Sequence, residues 1–76
     1  MFSSSELRFL ADEMNISIGE VGFLFWKNET REIQRTIINI INQENEFNEN
    51  NDSRFNPDRR GKAEDILAEF LAQLKL

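Results

Sequence analysis

Residues 16–26 read Ile-Ser-Ile-Gly-Glu-Val-Gly-Phe-Leu-Phe-Trp, and whether this run forms a helix or a strand decides the fold class. The part from Val21 to Trp26 is short and apolar, which suits a buried strand as well as a helix, because so few residues do not settle their own period. The residues ahead of it favour helix. Ser17 stands three residues before Glu20, the spacing at which a hydroxyl and a carboxylate reciprocally satisfy the free amides of a helix's first turn, and Ile16 and Val21 occupy the staple positions around that cap. A helix is expected over 18–27, although Gly19 and Gly22 each cost up to about 1 kcal/mol in a helix interior and leave it dependent on tertiary contacts.

The same pattern lies just upstream. Ser3 and Glu6 form another capping box, Phe2 and Leu7 take the staple positions, and Leu7, Leu10, Ala11 and Met14 continue one apolar face, which predicts a helix over 4–14 with Phe9 off the stripe. Downstream, Asn28 or Thr30 can cap a third helix over 30–44, with Ile33, Ile37, Ile40 and Ile41 as its stripe and Ile38 widening that stripe to roughly 160°. From Asn45 to Pro57 the composition turns to Asn, Glu, Asp and Ser with Phe47 and Phe55 isolated, and a mobile acidic, Asn-rich loop is expected at about 45–57. Asn56 and Pro57 make a cap and first-turn pair for a last helix over 58–75, carrying Ile66, Leu67, Phe70, Leu71 and Leu74. Gly61 weakens its start and is expected to leave Arg59 and Arg60 in a frayed turn. The chain therefore reads as one all-α, four-helix domain spanning 1–76. Its expected core is Leu7, Leu10, Met14, Val21, Leu24, Ile33, Ile37, Ile40, Ile41, Ile66, Leu67, Phe70 and Leu71.

Composition narrows the chemistry. A chain of 76 residues buries only roughly 60% of the surface its unfolded form exposes, so its stability rests on tight packing or association. With no Cys and no His it lacks disulfides, soft metal ligands, a thiol nucleophile and imidazole acid–base catalysis. It also has no glycine loop able to cradle phosphate. The expectation is a non-enzyme without catalytic residues, metal, cofactor or small-molecule substrate. Nine Lys and Arg against fourteen Asp and Glu leave a net charge of −5, which opposes nucleic acid and anionic membranes. No stretch approaches the ~20 apolar residues of a membrane span, and Met1-Phe2-Ser3 is not a basic signal-peptide start, so a cytoplasmic location is expected.

Between Leu7 and Trp26 the chain resembles the helix-turn-helix unit of repressor-type DNA-binding domains. Leu10, Ala11, Ile16, Val21 and Leu24 fall where that family keeps small and apolar packing residues, and Asn15 stands at the turn. The resemblance covers about twenty residues and implies a second helix that reads base edges in the major groove. The sequence departs from the family there: that helix offers Ser17, Ile18, Gly19, Glu20, Gly22 and Phe23, with no cation before Lys27. The DNA-binding alternative would have to dimerise to gather enough positive charge.

Two groups of residues are candidates for function. Phe23, Phe25 and Trp26 project around most of the circumference of their helix, so either the other helices wrap it or a patch is exposed to a protein partner or a second copy. With Phe9, these are the expected interaction residues, since Trp and Phe anchors are the usual energetic centres of protein interfaces. Arg54, Arg59, Arg60 and Lys62 form the only basic cluster and could contact an anion or a nucleic-acid backbone, but Asp52, Asp58, Glu64 and Asp65 lie among them. The function expected is that of a small acidic helical module which binds protein or self-associates to a homodimer through an apolar helical surface.

Overall fold

A computed structural model of the chain describes residues 2–74 and contains, among them, four α-helices and no strand: α1 (Ser4–Met14), α2 (Ile18–Trp26), α3 (Arg31–Glu49) and α4 (Pro57–Leu74). The protein is all-α. The expected helical position of Lys75 and the side chain of Leu74 lie outside the described residues. No described helix is long and apolar enough to cross a membrane. Two compact units make up the chain, Met1–Thr36 and Ile37–Leu76.

In the N-terminal unit α1 and α2 pack on each other. The capping box at Ser3 is complete, with the Ser3 amide donating to Glu6 Oε1 at 2.8 Å and the Glu6 amide donating to Ser3 Oγ at 3.2 Å. At α2 the Glu20 amide donates to Ser17 Oγ at 3.1 Å. These bonds satisfy amides that a first helical turn otherwise leaves open, which fixes where both helices begin. Leu10, Ala11, Val21 and Ile33 are buried, and each full-sized aliphatic among them contributes roughly 1.5–3 kcal/mol by leaving water. Phe2 also meets the Phe25 ring, with centroids 4.7 Å apart.

Three of the helices end in the same way. Asn15, Asn28 and Asn51 have φ of 56°, 59° and 53° and are the described non-glycine residues in the left-handed region. After each, the next amide reaches back five residues: Ile16 to the Ala11 carbonyl at 3.0 Å, Glu29 to Leu24 at 2.9 Å and Asp52 to Phe47 at 2.9 Å. The asparagine amide itself closes on the carbonyl three residues before it, Asp12, Phe25 or Asn48. This double closure satisfies carbonyls a helix end leaves open, and asparagine is the non-glycine residue that best tolerates the conformation it needs. Asn28, one of two candidates to cap the third helix, instead terminates the second.

The third helix is longer than its expected span of 30–44. At about 100° per residue Glu44 and Phe47 stay on the face of Ile33, Ile37 and Ile40, so the helical period continues to Glu49 through residues that look polar in composition. The connection to α4 shrinks from the expected 45–57 to residues 50–56. The start of α4 is not frayed. Asn56 Oδ1 accepts the Arg59 amide at 3.1 Å, Pro57 takes the first turn, and the helix runs unbroken through Gly61. In this C-terminal unit Ile37, Ile40, Ala63, Ile66 and Phe70 are buried. Ile41 and Leu67 are half-buried, as are Leu7, Met14 and Leu24 in the other unit. Leu71, expected in the core, and Ile38, expected to widen its stripe, are about half exposed, since each stands one residue, or about 100°, past a buried neighbour.

The left-handed stops predict a specific pattern at Asn51. Asn51→Gly leaves stability unchanged or raises it, whereas Asn51→Val lowers it by about 1–2 kcal/mol. Urea unfolding of the two variants checks this, and equal effects would remove the left-handed turn as the cause.

Candidate functional site

The basic cluster is built into the fold. Glu44, only 1% exposed, accepts the Asn56 amide at 2.7 Å on Oε1 and pairs through Oε2 with Arg59. Arg59 donates further to Gln43 Oε1 at 2.8 Å, and Arg60 donates to Asn45 Oδ1 at 2.9 Å while lying 4.8 Å from the Phe55 ring centroid. Arg54 makes a two-pronged contact to Asp52, at 3.1 Å from Nε and 2.8 Å from Nη2, and lies 4.6 Å from the Phe47 ring. Lys62 is half-buried on α4. The three arginines thus hold residues 50–56 between the end of α3 and the start of α4. Their charges face Glu44, Asp52 and two aromatic rings, in keeping with the acidic residues that lie among them in the sequence.

Burial by itself would push the Glu44 carboxyl up. The Asn56 amide, the Arg59 hydrogen bond and the positive charges of Arg59 and Arg60 outweigh it and hold the group below its ordinary value of 4.5. At Asp52 the Arg54 side chain and backbone amide bring the carboxyl down from 3.8 to about 2. Both groups favour the folded state when ionised. Their contribution is complete above the unfolded values and is lost as pH falls through the lowered folded ones.

The aromatic residues divide. Val21 is fully buried, Leu24 and Phe25 are half-buried, and Phe25 is occupied by Phe2. Phe9 is half-buried on α1. Trp26 and Phe23 face solvent, 81% and 53% exposed, with ring centroids 6.1 Å apart one turn from each other. Lys27 Nζ lies 5.3 Å from the Phe23 ring. Ile18, 40% exposed, borders the same surface. Gly19 and Gly22, both exposed, lie on the arc between these side chains, leaving bare backbone beside two aromatic rings. On another side of α2 is an open cleft of about 730 Å³ whose walls include Met14, Ile16 and Leu24 together with Glu20 and Arg31.

The helices of the N-terminal unit therefore do not wrap α2. One side of it is core, and the side carrying Phe23 and Trp26 is surface. Among the described residues no group of three His, Cys, Asp or Glu side chains is placed to hold a metal ion. The sequence pointed to the aromatic run but not to its division, and it missed Glu44. A signal for Glu44 was present: it is the one charged residue on the stripe Ile33, Ile37, Ile40, Glu44, Phe47.

Fold and surface define the class: a small all-α chain with an exposed aromatic helix face. Comparison with protein-family models, with curated proteins and with solved structures finds no match.

Two outcomes follow. Glu44→Gln lowers stability by about 1.5–3 kcal/mol at neutral pH, and the gap to the wild-type chain narrows as pH falls below the ordinary carboxyl value of 4.5 and through the lowered folded one; denaturant unfolding from neutral to acid pH measures it, and a constant gap would show that the charge is not what matters. Trp26→Ser changes stability by less than about 1 kcal/mol, as expected at an exposed site, while a loss of about 3 kcal/mol or more would mean the indole is core.

Proposed function

We propose that this chain is a non-catalytic protein-binding module of the cytoplasm, and that it docks another polypeptide chain on the exposed face of α2. The observation that carries this reading is the pair Phe23 and Trp26. Two large rings stand side by side in solvent on a helix whose opposite side supplies the core, although a fully buried aromatic contributes roughly 1.5–3 kcal/mol. Exposed aromatics rimmed by charge, here Glu20 and Lys27, have the composition of an interface centre. Burying 150–250 Å² per ring, as aromatics typically do, supplies most of the apolar area a small interface requires.

A second reading, a helix-turn-helix DNA-binding domain, draws on the tight turn at Asn15 that joins α1 to α2. It is weaker, because the exposed side of α2 presents Ile18, Phe23 and Trp26 and no cation before Lys27. The two readings respond oppositely to salt. Phosphate contacts weaken steeply as salt rises, and apolar docking does not.

The test is a photo-crosslinking amino acid placed at position 26 of the full chain in living cells, with position 42, the exposed Asn42 of α3, as control. Discrete protein adducts from position 26 and none from position 42 are expected. No adduct from either, or the same adducts from both, would overturn the proposal.

A further inference from the structure

We infer that the occupant of the α2 face is a second copy of this chain, whose own α2 lies antiparallel across it. This rests on the reading of that face as a docking surface and specifies its partner. At about 100° per residue, Gly19, Gly22, Phe23 and Trp26 share roughly 100° of the α2 circumference. The small residues occupy the N-terminal half of that arc and the large ones the C-terminal half. Neither glycine is explained by the chain itself. Both have ordinary helical φ, a Cβ at Gly22 would meet nothing within 4 Å, and one at Gly19 would meet only Ser17 Oγ at 3.8 Å. A helix gives up stability at both positions without gaining room for any group of its own.

A two-fold axis perpendicular to α2 resolves this. Setting two copies antiparallel places Trp26 of one over Gly19 of the other near the middle of the arc, and the symmetry repeats that contact; beside the axis the two Phe23 rings meet on one edge of the face and the two Gly22 backbones on the other. Each indole then fills a notch where a Cβ would stand. A parallel pairing would instead set Trp26 against Trp26 and Gly19 against Gly19.

The charges agree with the same register. Glu20 and Lys27 lie on one edge of the face, next to Phe23. In the antiparallel pair the edge of one copy meets the same edge of the other, and Lys27 comes within about 3 Å, along the axis, of the second copy's Glu20. Glu20 makes no ion pair with its carboxylate among the described residues, and Lys27 has only a 3.8 Å contact to exposed Glu29. Two intermolecular ion pairs form. The nine-residue helix is short, so the contact falls below the roughly 1,200 Å² of stable complexes. Association is expected in the micromolar to sub-millimolar range, on the order of 10–500 μM.

Sedimentation equilibrium of the full chain over a concentration series tests this with the Glu20→Lys and Lys27→Glu variants. Each variant alone faces like charge across the axis and associates about tenfold more weakly than the wild-type chain. An equimolar mixture of the two regains association to within about threefold, because the mixed pair restores both ion pairs. Gly22→Ala gives a further sign: it fills open space in the monomer and raises the melting temperature, yet weakens association by setting a methyl group against the second copy's Gly22 at the axis. A fold defect cannot produce that combination. No rescue in the mixture, or association unaffected by Gly22→Ala, overturns the antiparallel pair. Crosslinks from position 26 only to a different protein would overturn the second copy while leaving the docking surface in place.

Discussion

A right-handed helix propagates as long as each new residue adds a hydrogen bond, so what shapes a short all-α chain is where propagation is made to stop. Here α1, α2 and α3 stop on an asparagine that enters the left-handed region, and its own amide and the next one fold back onto open carbonyls. Everything else is arranged by those stops. The turn at Asn15 brings α2 back against α1, the turn at Asn28 frees the start of α3, and the turn at Asn51 directs the chain toward the cap of α4. Asparagine at these points accepts a backbone strain that glycine would avoid, but it limits the unfolded chain more than glycine does.

Within the C-terminal unit a single carboxylate organises the short connection. Glu44 occupies a position that the helical period assigns to the interior, and a buried charge there would be costly without partners. The partners are the amide of Asn56, which caps α4, and the guanidinium of Arg59 in the first turn of α4. The end of one helix and the beginning of the next are thus joined by one buried group, and residues 50–56 are drawn in by the stacking of Arg54 on Phe47 and Arg60 on Phe55. Removing Arg59 leaves Glu44 buried without its counter-charge, which is why the pair acts through what its loss would leave unmatched more than through its own net strength.

The N-terminal unit shows the opposite economy. Its α2 is among the most apolar segments of the chain, yet only Val21 is fully buried and the rings of Phe23 and Trp26 lie open. In a helix of nine residues the face turned toward α1 takes few side chains, and an aromatic run that continues past it must emerge on the other side. The glycines beside the rings leave the backbone accessible as well. It is this surface, with large rings at one end and bare backbone at the other, on which the inferred antiparallel pairing rests.

How much of this was legible in the sequence follows from the range of the interactions. The helical class, both N-terminal serine caps, the Asn56-Pro57 start and most of the buried stripe depend on residues within four or five positions of one another, and local spacing determined them. The strand alternative for Val21–Trp26 stayed open in the sequence and was closed by the structure, where α2 runs from the Ser17 cap to the stop at Asn28. Tertiary structure decided the rest. Whether Glu44 was a surface carboxylate or a buried clamp depended on Asn56 and Arg59, twelve and fifteen residues away. Whether Gly61 frayed α4 depended on bonds from Arg59 and Arg60 back to α3. Which rings of the aromatic run became core depended on where Phe2 and α1 lay against α2. Local chemistry sets where a helix starts and stops, but which of its faces meets water is set by neighbours that its own residues do not specify.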